Sequence, residues 1–332
     1  MDNRRAHVIR GTVSPDMDPD PLRYGIRLDL ETVYYPLGFP LTLATNSEHV
    51  LRAAARSWSE FSPLFRTPPL ALRVAVDGQG TRPAAPVYRG QAHLMTIASD
   101  SDNFAVCDYT RRFGFCRLNE TAAADAVFIG YYFLEAMAYH LLTQLHVTPV
   151  HGASVARGRR GLLLCGAAGA GKTTLAYAAA RAGWTYVSDN ESWLVRGRRA
   201  QVVGNPQRIR FRESGAALFP ELEGLPAARD INGKMSIDLS TASLARFATA
   251  GRCAVHAVIL LDRRRDGPDS LEPAPQNTAA GTLLAGVPMY EPHIHRQHVA
   301  SLERLLERPA FVMRYRNTAS ALGMLEEVVR AR

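Results

Sequence analysis

The chain of 332 residues is 47% hydrophobic and 21% charged, a globular composition with room for one large domain or two smaller ones. Its formal net charge is +8, but the arginines are spread along the chain, so a nucleic-acid-binding protein is not expected. Residues 1–21 are polar and interrupted by prolines. They lack the apolar stretch of a secretion signal, so the sequence favours a cytoplasmic protein.

Residues 1–146 are predicted to form the smaller, N-terminal domain, of α+β type. Apolar stretches with strand character alternate here with one helical stretch, for which Ser47 is the predicted N-cap. The predicted elements are an extended run at 34–45, a helix at 47–61, a strand at 70–76, a loop at 78–86 and several short strands within 92–118.

The longest apolar run, residues 126–145, is long enough to raise the question of a membrane span. It contains Glu135, His140 and Gln144. Polar side chains at that depth in lipid are costly, whereas a helix inside a protein can satisfy them with hydrogen bonds. The run therefore predicts a buried helix over about residues 124–145, and no membrane association is expected.

After residue 146 the pattern changes to apolar strands that alternate with helices, which is typical of an α/β domain. Strands are predicted at 162–166, 184–189, 193–196, 201–204, 254–262 and 310–316, and helices at 173–183, 300–306 and 319–329. A second domain is therefore predicted over residues 147–332.

The strand-to-helix junction at residues 166–173 matches the phosphate-binding pattern G-x-x-x-x-G-K-S/T without a mismatch. Its glycines let backbone N–H groups turn inward around phosphate oxygens, and the helix start adds the positive end of its dipole. Lys172 can reach the β and γ phosphates of a nucleoside triphosphate, and the Thr173 hydroxyl can ligate Mg²⁺. The predicted residues of this nucleotide site are Gly166, Ala167, Ala168, Gly169, Ala170, Gly171, Lys172, Thr173 and Thr174.

A phosphate loop indicates a nucleotide but not a reaction, so the acidic residues near the loop matter. Asp189 ends the predicted strand at 184–189, and Asp262 ends the one at 254–262. Either carboxylate can hold Mg²⁺ or orient a nucleophile, because ligands bind outside the carboxyl ends of strands in open α/β sheets. Asp262 as the metal ligand would fit an ATPase or GTPase switch, with water as the acceptor.

Residues 151–193 resemble the core of the HPr kinase/phosphorylase family. In that family a His-Gly pair precedes a strand and a phosphate loop, which are followed by a helix and an aspartate at a strand end. His151, Lys172 and Asp189 stand at the family's spacing. The resemblance covers roughly residues 120–240, and it implies an α/β fold like that of the HPr kinases and phosphoenolpyruvate carboxykinases.

The chain departs from this family directly after the aspartate: where the family tends to have a second acidic residue, this chain has Asn190, followed by Glu191. It is therefore more similar to the HPr-kinase-related proteins, which include kinases that phosphorylate lasso precursor peptides on a hydroxyl. The resemblance implies catalytic roles for Asp189, Lys172 and His151, and metal ligation by Thr173 and Asp189.

The function expected from the sequence is a kinase that uses ATP and Mg²⁺ to transfer the γ-phosphoryl group to a hydroxyl. The acceptor would be a peptide, a small protein or a small molecule, and the domain over residues 1–146 would shape its pocket. A homo-oligomer is left open. Two alternatives remain: a P-loop ATPase or GTPase switch, and a module that senses a nucleotide without turning it over.

Among the 39 basic residues, only Lys172 and Lys234 are lysines. A lysine carries a compact ammonium on a flexible stem, so a retained lysine can mark a position that contacts a ligand. Asn232 and Gly233 predict a turn before Lys234, and residues 235–239 predict a strand after it. Lys234 is therefore included in the predicted nucleotide site, with an ordinary solvated loop lysine as the alternative.

Two further groups of polar residues allow more than one interpretation. Arginines at 208, 210 and 212 would share one face of a strand, where they meet phosphates or an acidic substrate, or stay solvated. Glu291, His293, His295 and His298 include ligand types that suit a metal ion. They are predicted to be solvated, because they fall in a proline-flanked loop and lack the H-E-x-x-H spacing of a helical metal site.

Overall fold

The computed structural model describes residues 20, 24–197, 199–229, 233–287 and 289–331. Most of the polar, proline-interrupted start of the chain and Asn232 of the predicted turn lie outside the described residues. In the part that is described, no helix is long and apolar enough to cross a membrane. The architecture is mixed α/β, with several sheets and helices on their faces.

The first sheet is built from the strands that precede residue 119. Its strands are β1 (Leu30–Tyr34), β2 (Leu41–Thr45), β3 (Leu70–Val76), β4 (Val87–Gln91), β5 (Leu94–Ala98), β6 (Phe104–Asp108) and β7 (Phe113–Leu118). They are ordered β1-β2-β3-β7-β6-β5-β4. The β2–β3 and β3–β7 pairs are parallel, whereas the others are antiparallel, so this sheet is mixed.

Helices cover this sheet and bury its core. They are α1 (Glu48–Trp58), α2 (Glu120–Ala124), α3 (Ala126–Ile129) and α4 (Ala136–Leu145), with a π-helical turn at Gly130–Glu135 between α3 and α4. The predicted continuous helix over about 124–145 is thus interrupted, although its residues are helical as expected. Ser47 occupies the N-cap position of α1, but its side chain makes no capping hydrogen bond. α4 packs across β3 and β6, and its apolar side chains are buried there.

The remaining strands form a larger mixed sheet and a small antiparallel one. They are β8 (Val147–Val150), β9 (Gly152–Arg157), β10 (Arg160–Cys165), β11 (Thr185–Ser188), β12 (Ser192–Val195), β13 (Gln201–Gly204), β14 (Arg208–Phe211), β15 (Ala228–Arg229), β16 (Met235–Ser240), β17 (Arg252–Arg263), β18 (Ser270–Pro273) and β19 (Ala310–Tyr315). The larger sheet is ordered β11-β9-β10-β17-β13-β12-β8, and β19 joins it beside β17 and β18. The small sheet is ordered β14-β16-β15.

The larger sheet is not purely parallel. β10 runs parallel to β17, and β17 runs parallel to β19, so these three strands carry their carboxyl ends to one edge. β9 is antiparallel to both β10 and β11 and lies between them. As a result β11 also points its carboxyl end to that edge, one strand further away from β10 than a parallel sheet would place it.

The helices of this second part are α5 (Lys172–Arg181), α6 (Glu213–Ala216), α7 (Gln276–Leu284), α8 (Pro292–Leu305) and α9 (Thr318–Arg330). α5 and α9 pack against each other over the sheet. The predicted last helix is confirmed in α9, but the helix predicted at 300–306 begins eight residues earlier, at Pro292. Proline at the first helical position is favourable, because its missing N–H would have no partner there anyway.

The proposed boundary at residue 146 falls between the end of α4 and the start of β8. Packing crosses that point: the core cluster around the first sheet includes Trp193, Val203 and Ile294. A second core cluster lies around α5, β10 and α9, and it includes Leu164, Leu175 and Leu325. The two predicted domains, 1–146 and 147–332, therefore share buried contacts, and their independence stays a prediction.

Candidate functional site

The predicted phosphate loop spans residues 166–171, between the end of β10 and the start of α5. Gly169 and Gly171 have positive φ angles of 83° and 91°, a conformation that strains residues with a side chain. A Cβ atom at Gly171 would also collide with the hydroxyl of Tyr315. The first N–H groups of α5 have no acceptor within their own helix, so the loop and the helix start together offer donors to an anion.

Lys172 begins α5, and its side chain folds back over the loop. Its Nζ atom donates to the carbonyl oxygens of Gly166 at 2.8 Å and Ala167 at 3.1 Å. The residue is only 7% exposed, and burial lowers the pKa of its ammonium. The Lys172 ammonium is thus held at the loop by backbone oxygens, from which a more strongly charged acceptor can withdraw it.

The two threonines after Lys172 point in different directions. The Thr173 hydroxyl donates to the backbone carbonyl of Asp189 at 3.5 Å. The Thr174 hydroxyl instead lies against Gly215 of α6, 3.6 Å from where a Cβ of that glycine would be. Thr173 is therefore placed between the loop and the end of β11, as a metal ligand at this position would need to be, whereas Thr174 faces α6.

Asp189 directly follows β11. Its carboxylate accepts a hydrogen bond from the backbone N–H of Arg210 at 2.9 Å. Burial raises the pKa of Asp189 to about 6, while the Arg210 N–H and guanidinium act in the opposite direction. The side chain is thus ionised at neutral pH, yet it is a stronger base than an exposed aspartate.

His151 lies in the turn between β8 and β9, at the same edge of the sheet as the phosphate loop. This placement follows from the register, because the next residue, Gly152, pairs with Cys165 at the end of β10. Partial burial lowers the pKa of His151, and the positive charge of Lys172 lowers it further. The structure therefore brings His151, Lys172 and Asp189 to one edge, as the sequence predicts.

A buried network of serines lies directly behind this edge. The Ser192 hydroxyl is 2.6 Å from that of Ser154 and 2.7 Å from that of Ser188. It donates to the carbonyl of Gly152 at 3.0 Å. All three serines are buried, and together they tie β9, β11 and β12 to one another. Since Gly152 follows His151 and Ser188 precedes Asp189, the network fixes the backbone from which both side chains project.

Asp262 has different surroundings. It lies inside β17, one residue before the strand ends, and its carboxylate forms ion pairs with Arg264 at 2.8 Å and Arg314 at 3.6 Å. Arg314 is the residue that pairs with Asp262 across β17 and β19. The second candidate for the metal-binding aspartate is thus engaged by two guanidinium groups beside the sheet.

Lys234 immediately precedes β16 and is exposed, so its predicted place at a loop-to-strand junction is confirmed.

Arg208 and Arg210 share the exposed face of β14, and Arg212 follows the strand. Arg208 pairs with Asp238 of β16 at 2.9 Å, and Arg210 is 3.8 Å from the same carboxylate. The two strand arginines therefore line the side of the site next to Asp189.

The loop predicted for the histidine group was wrong. His293, His295 and His298 all lie in α8, which begins at Pro292. His298 is completely buried, with its Nδ1 atom 3.0 Å from the hydroxyl of Thr148, and it is not solvated as predicted. Burial lowers its pKa to about 3. Among the residues that the structure describes, no group of three or more histidine, cysteine, aspartate or glutamate side chains could hold a metal ion.

Sequence reasoning missed Glu135 as a neighbour of the site. It ends the π-helical turn, where burial raises its pKa and the charges of Arg208 and Arg210 lower it. Burial and the nearby charge of Glu135 also raise the pKa of Glu191. The first part of the chain therefore contributes a carboxyl group near the strand arginines and Glu191. Its signal in the sequence was a glutamate inside an apolar run, and π-helical turns often occur at functional sites.

Comparison with known proteins finds similar solved structures but no match in sequence. No protein-family model matches the chain, and no curated protein matches it. A solved structure of the Hpr(Ser) kinase/phosphatase from Coxiella burnetii matches with 14% sequence identity and a TM-score of 0.29. That match covers 55% of this chain and 93% of the Coxiella protein. At this TM-score the likeness assigns the chain to no family and no activity.

Proposed function

We propose that the chain is a kinase that uses ATP and Mg²⁺ to transfer the γ-phosphoryl group to a hydroxyl of a peptide, a small protein or a small molecule. One observation carries this proposal. The carboxylate of Asp189 stands at the same sheet edge as an intact phosphate loop, and its backbone contacts the loop's Thr173. A nucleotide site with a raised-pKa carboxylate beside it has the parts that phosphoryl transfer to a hydroxyl requires.

Nucleotide binding would rearrange one side chain of the loop. Lys172 now donates to the carbonyls of Gly166 and Ala167, and both bonds are to neutral oxygens. Phosphate oxygens carry full charge and form stronger charge-assisted hydrogen bonds with an ammonium. The Lys172 side chain would therefore leave the loop carbonyls for the β and γ phosphates, while the loop N–H groups hold the remaining phosphate oxygens.

The residues present fit Mg²⁺. This ion prefers oxygen ligands and usually combines one or two protein oxygens with substrate phosphates and water. The Thr173 hydroxyl and the Asp189 carboxylate supply such oxygens beside the loop, and the Thr173 hydroxyl lies 3.5 Å from the Asp189 carbonyl. When bound, the ion would neutralise charge that develops on the transferring phosphoryl group.

Asp189 would orient the acceptor hydroxyl and take its proton, since it is ionised at neutral pH and more basic than an ordinary aspartate. His151 directly precedes β9, which lies between β10 and β11, and would contact the phosphoryl group or the acceptor. Arg210 lies beside Asp189, and Glu135 brings the first part of the chain near Arg208 and Arg210. An acceptor would thus be held between the two parts of the molecule.

The alternative in which water is the acceptor depends on Asp262. In an ATPase or GTPase switch this carboxylate would be needed for Mg²⁺, but Arg264 and Arg314 already pair with it. Breaking two such pairs on nucleotide binding is less favourable than using Asp189, whose carboxylate accepts a hydrogen bond from the Arg210 N–H and is desolvated by burial. The geometry therefore favours the kinase.

The direct test is phosphoryl transfer from radiolabelled ATP with Mg²⁺, with and without a library of serine- and threonine-containing peptides and small alcohols. A kinase transfers label to an acceptor and releases little free phosphate without one. Rapid phosphate release that no acceptor changes would indicate the ATPase or GTPase switch. Tight ATP binding without any product over hours would indicate a nucleotide-sensing module, and the proposal would then be wrong.

A further inference from the structure

Tyr315, the last residue of β19, contacts the phosphate loop although it lies far from the loop in the sequence. β19 pairs in parallel with β17, which pairs in parallel with β10, so Tyr315 reaches the sheet edge from which the loop projects. Its side chain is 4% exposed and belongs to the core cluster around α5 and β10. The ring is therefore held in place by packing, independently of the loop.

The hydroxyl of Tyr315 donates to the carbonyl oxygen of Ala170 at 2.6 Å. The hydroxyl also occupies the space where a side chain at residue 171 would be, so the close contact depends on Gly171. Burial raises the pKa of Tyr315 to about 12, which keeps the proton on the donating oxygen. The contact is thus a short, buried hydrogen bond from a rigid side chain to the backbone of the loop.

This bond fixes the orientation of one peptide group. In a planar trans peptide the carbonyl and the following N–H point in opposite directions. With the Ala170 carbonyl turned toward Tyr315, the N–H of Gly171 is turned away from β19. Among the described residues, no hydrogen bond from the Gly171 N–H is observed, whereas the N–H of Ala170 is bonded to the carbonyl of Ala167. The Gly171 N–H is therefore a free donor with a fixed direction.

The other side-chain contact that holds the loop is the one that a nucleotide would remove. Lys172 bonds to the carbonyls of Gly166 and Ala167, and under the proposed function it leaves them for phosphate. The bond from Tyr315 lies at the opposite end of the loop and does not involve Lys172. It can persist when the nucleotide is bound and keep the second half of the loop in its shape.

We infer that Tyr315 is a positioning residue that orients the Gly171 N–H toward the phosphates of a bound nucleoside di- or triphosphate. This inference rests on the proposed function, because it needs the loop to bind a nucleotide. It adds a residue from the last strand of the sheet, outside the loop motif, to the determinants of nucleotide affinity.

The test is isothermal titration calorimetry of ATP, ADP and AMP with Mg²⁺ on wild-type protein, Tyr315→Phe and Tyr34→Phe. Tyr34→Phe is the matched control, because its hydroxyl also donates to a backbone carbonyl, that of Leu51 in α1, away from the loop. Tyr315→Phe should weaken ATP and ADP binding about five- to tenfold, as expected for one lost oriented hydrogen bond. AMP binding should be unchanged, because AMP lacks the phosphates that such a loop holds.

The outcomes separate this inference from the proposed function. If wild-type protein binds neither ATP nor ADP, both are wrong. If wild-type protein binds ATP, Lys172→Ala weakens that binding, and Tyr315→Phe leaves the ATP and ADP affinities unchanged, only the positioning role is wrong. An equal loss for AMP, or an equal loss in Tyr34→Phe, would show a general effect on the fold and would also overturn the inference. Thermal melting of each variant accompanies the titrations.

Discussion

Asp189 and Asp262 occupy similar positions in the chain's pattern, each near the end of a strand that leads to the same edge of the larger sheet. Their surroundings differ. Asp189 is engaged by the N–H of Arg210 and has its pKa raised by burial, whereas Asp262 forms ion pairs with Arg264 and Arg314. A partly desolvated carboxylate is suited to proton transfer. A carboxylate neutralised by two guanidinium groups is suited to a structural role. The residues around each aspartate are therefore more informative about its role than its position at the end of a strand.

The largest loss of phosphoryl transfer is expected from Lys172→Ala. This variant tests whether the loop beside both aspartates is a catalytic phosphate site. Lys172 contacts only loop carbonyls through its ammonium, so its removal should leave the fold intact and abolish phosphoryl transfer. The measurement is label transfer from ATP together with circular dichroism and thermal melting. Turnover near the wild-type rate would show that the loop is not a catalytic phosphate site, and the comparison of the two aspartates would lose its basis.

Replacing each aspartate by asparagine breaks or confirms the comparison directly. Asp189→Asn keeps the size of the side chain but removes its charge, so turnover should fall by about 10² or more, with ATP binding largely retained. Asp262→Asn should change turnover by less than about threefold, since its charge is used in ion pairs. Steady-state kinetics with ATP and a transferable acceptor measure both. The reverse pattern would move the assignment to the ATPase or GTPase switch.

The strand-to-helix turn that carries the predicted phosphate loop was readable from the sequence because its pattern is local, and so was the strand at 70–76, which is confirmed as β3. The surroundings of Asp189 were not, because Arg210 reaches Asp189, and Glu135 reaches Arg208 and Arg210, through tertiary packing. The insertion of antiparallel β9 between β10 and β11 was also hidden, since long-range strand pairing leaves no local signal. The start of α8 did have a signal, proline at the first helical position, which was taken for a loop.

The raised pKa of Asp189 predicts a difference in stability with pH. Its pKa of about 6 in the folded protein exceeds the ordinary value of 3.8, so ionisation destabilises the fold. The contribution of Asp189 to the stability of the fold is full below about pH 4, where its side chain is protonated. It is lost as the pH rises through about 6. Without ligands, the free energy of unfolding of Asp189→Asn, relative to that of wild type, should therefore increase by about 1–3 kcal/mol as the pH rises from about 4 to about 8.

Urea unfolding of wild type, Asp189→Asn and Asp262→Asn at several pH values measures this gain. Asp262→Asn is the comparison variant, because it keeps Asp189 and should therefore not show the gain that comes from removing the Asp189 charge. A constant difference between wild type and Asp189→Asn at every pH would mean that Asp189 is not desolvated as described. Phosphoryl transfer by wild type should also fall as the pH drops below about 6, because the base becomes protonated.

The smallest loss of turnover is expected for variants of Lys234. These variants test which side of the loop contacts the ligand. Lys234 precedes β16, which pairs with β14, the strand whose Arg210 N–H holds Asp189. An ammonium on that side can approach the transferring phosphoryl group or the acceptor, so Lys234→Ala should lower turnover about three- to tenfold. Lys234→Arg should restore turnover only in part, because a planar fork cannot replace a compact charge.

The matched control is Arg264→Ala on the Asp262 side, for which turnover should stay near wild type. If arginine at 234 restores full turnover, or alanine leaves it unchanged, no compact ammonium is needed there and Lys234 is an ordinary surface lysine.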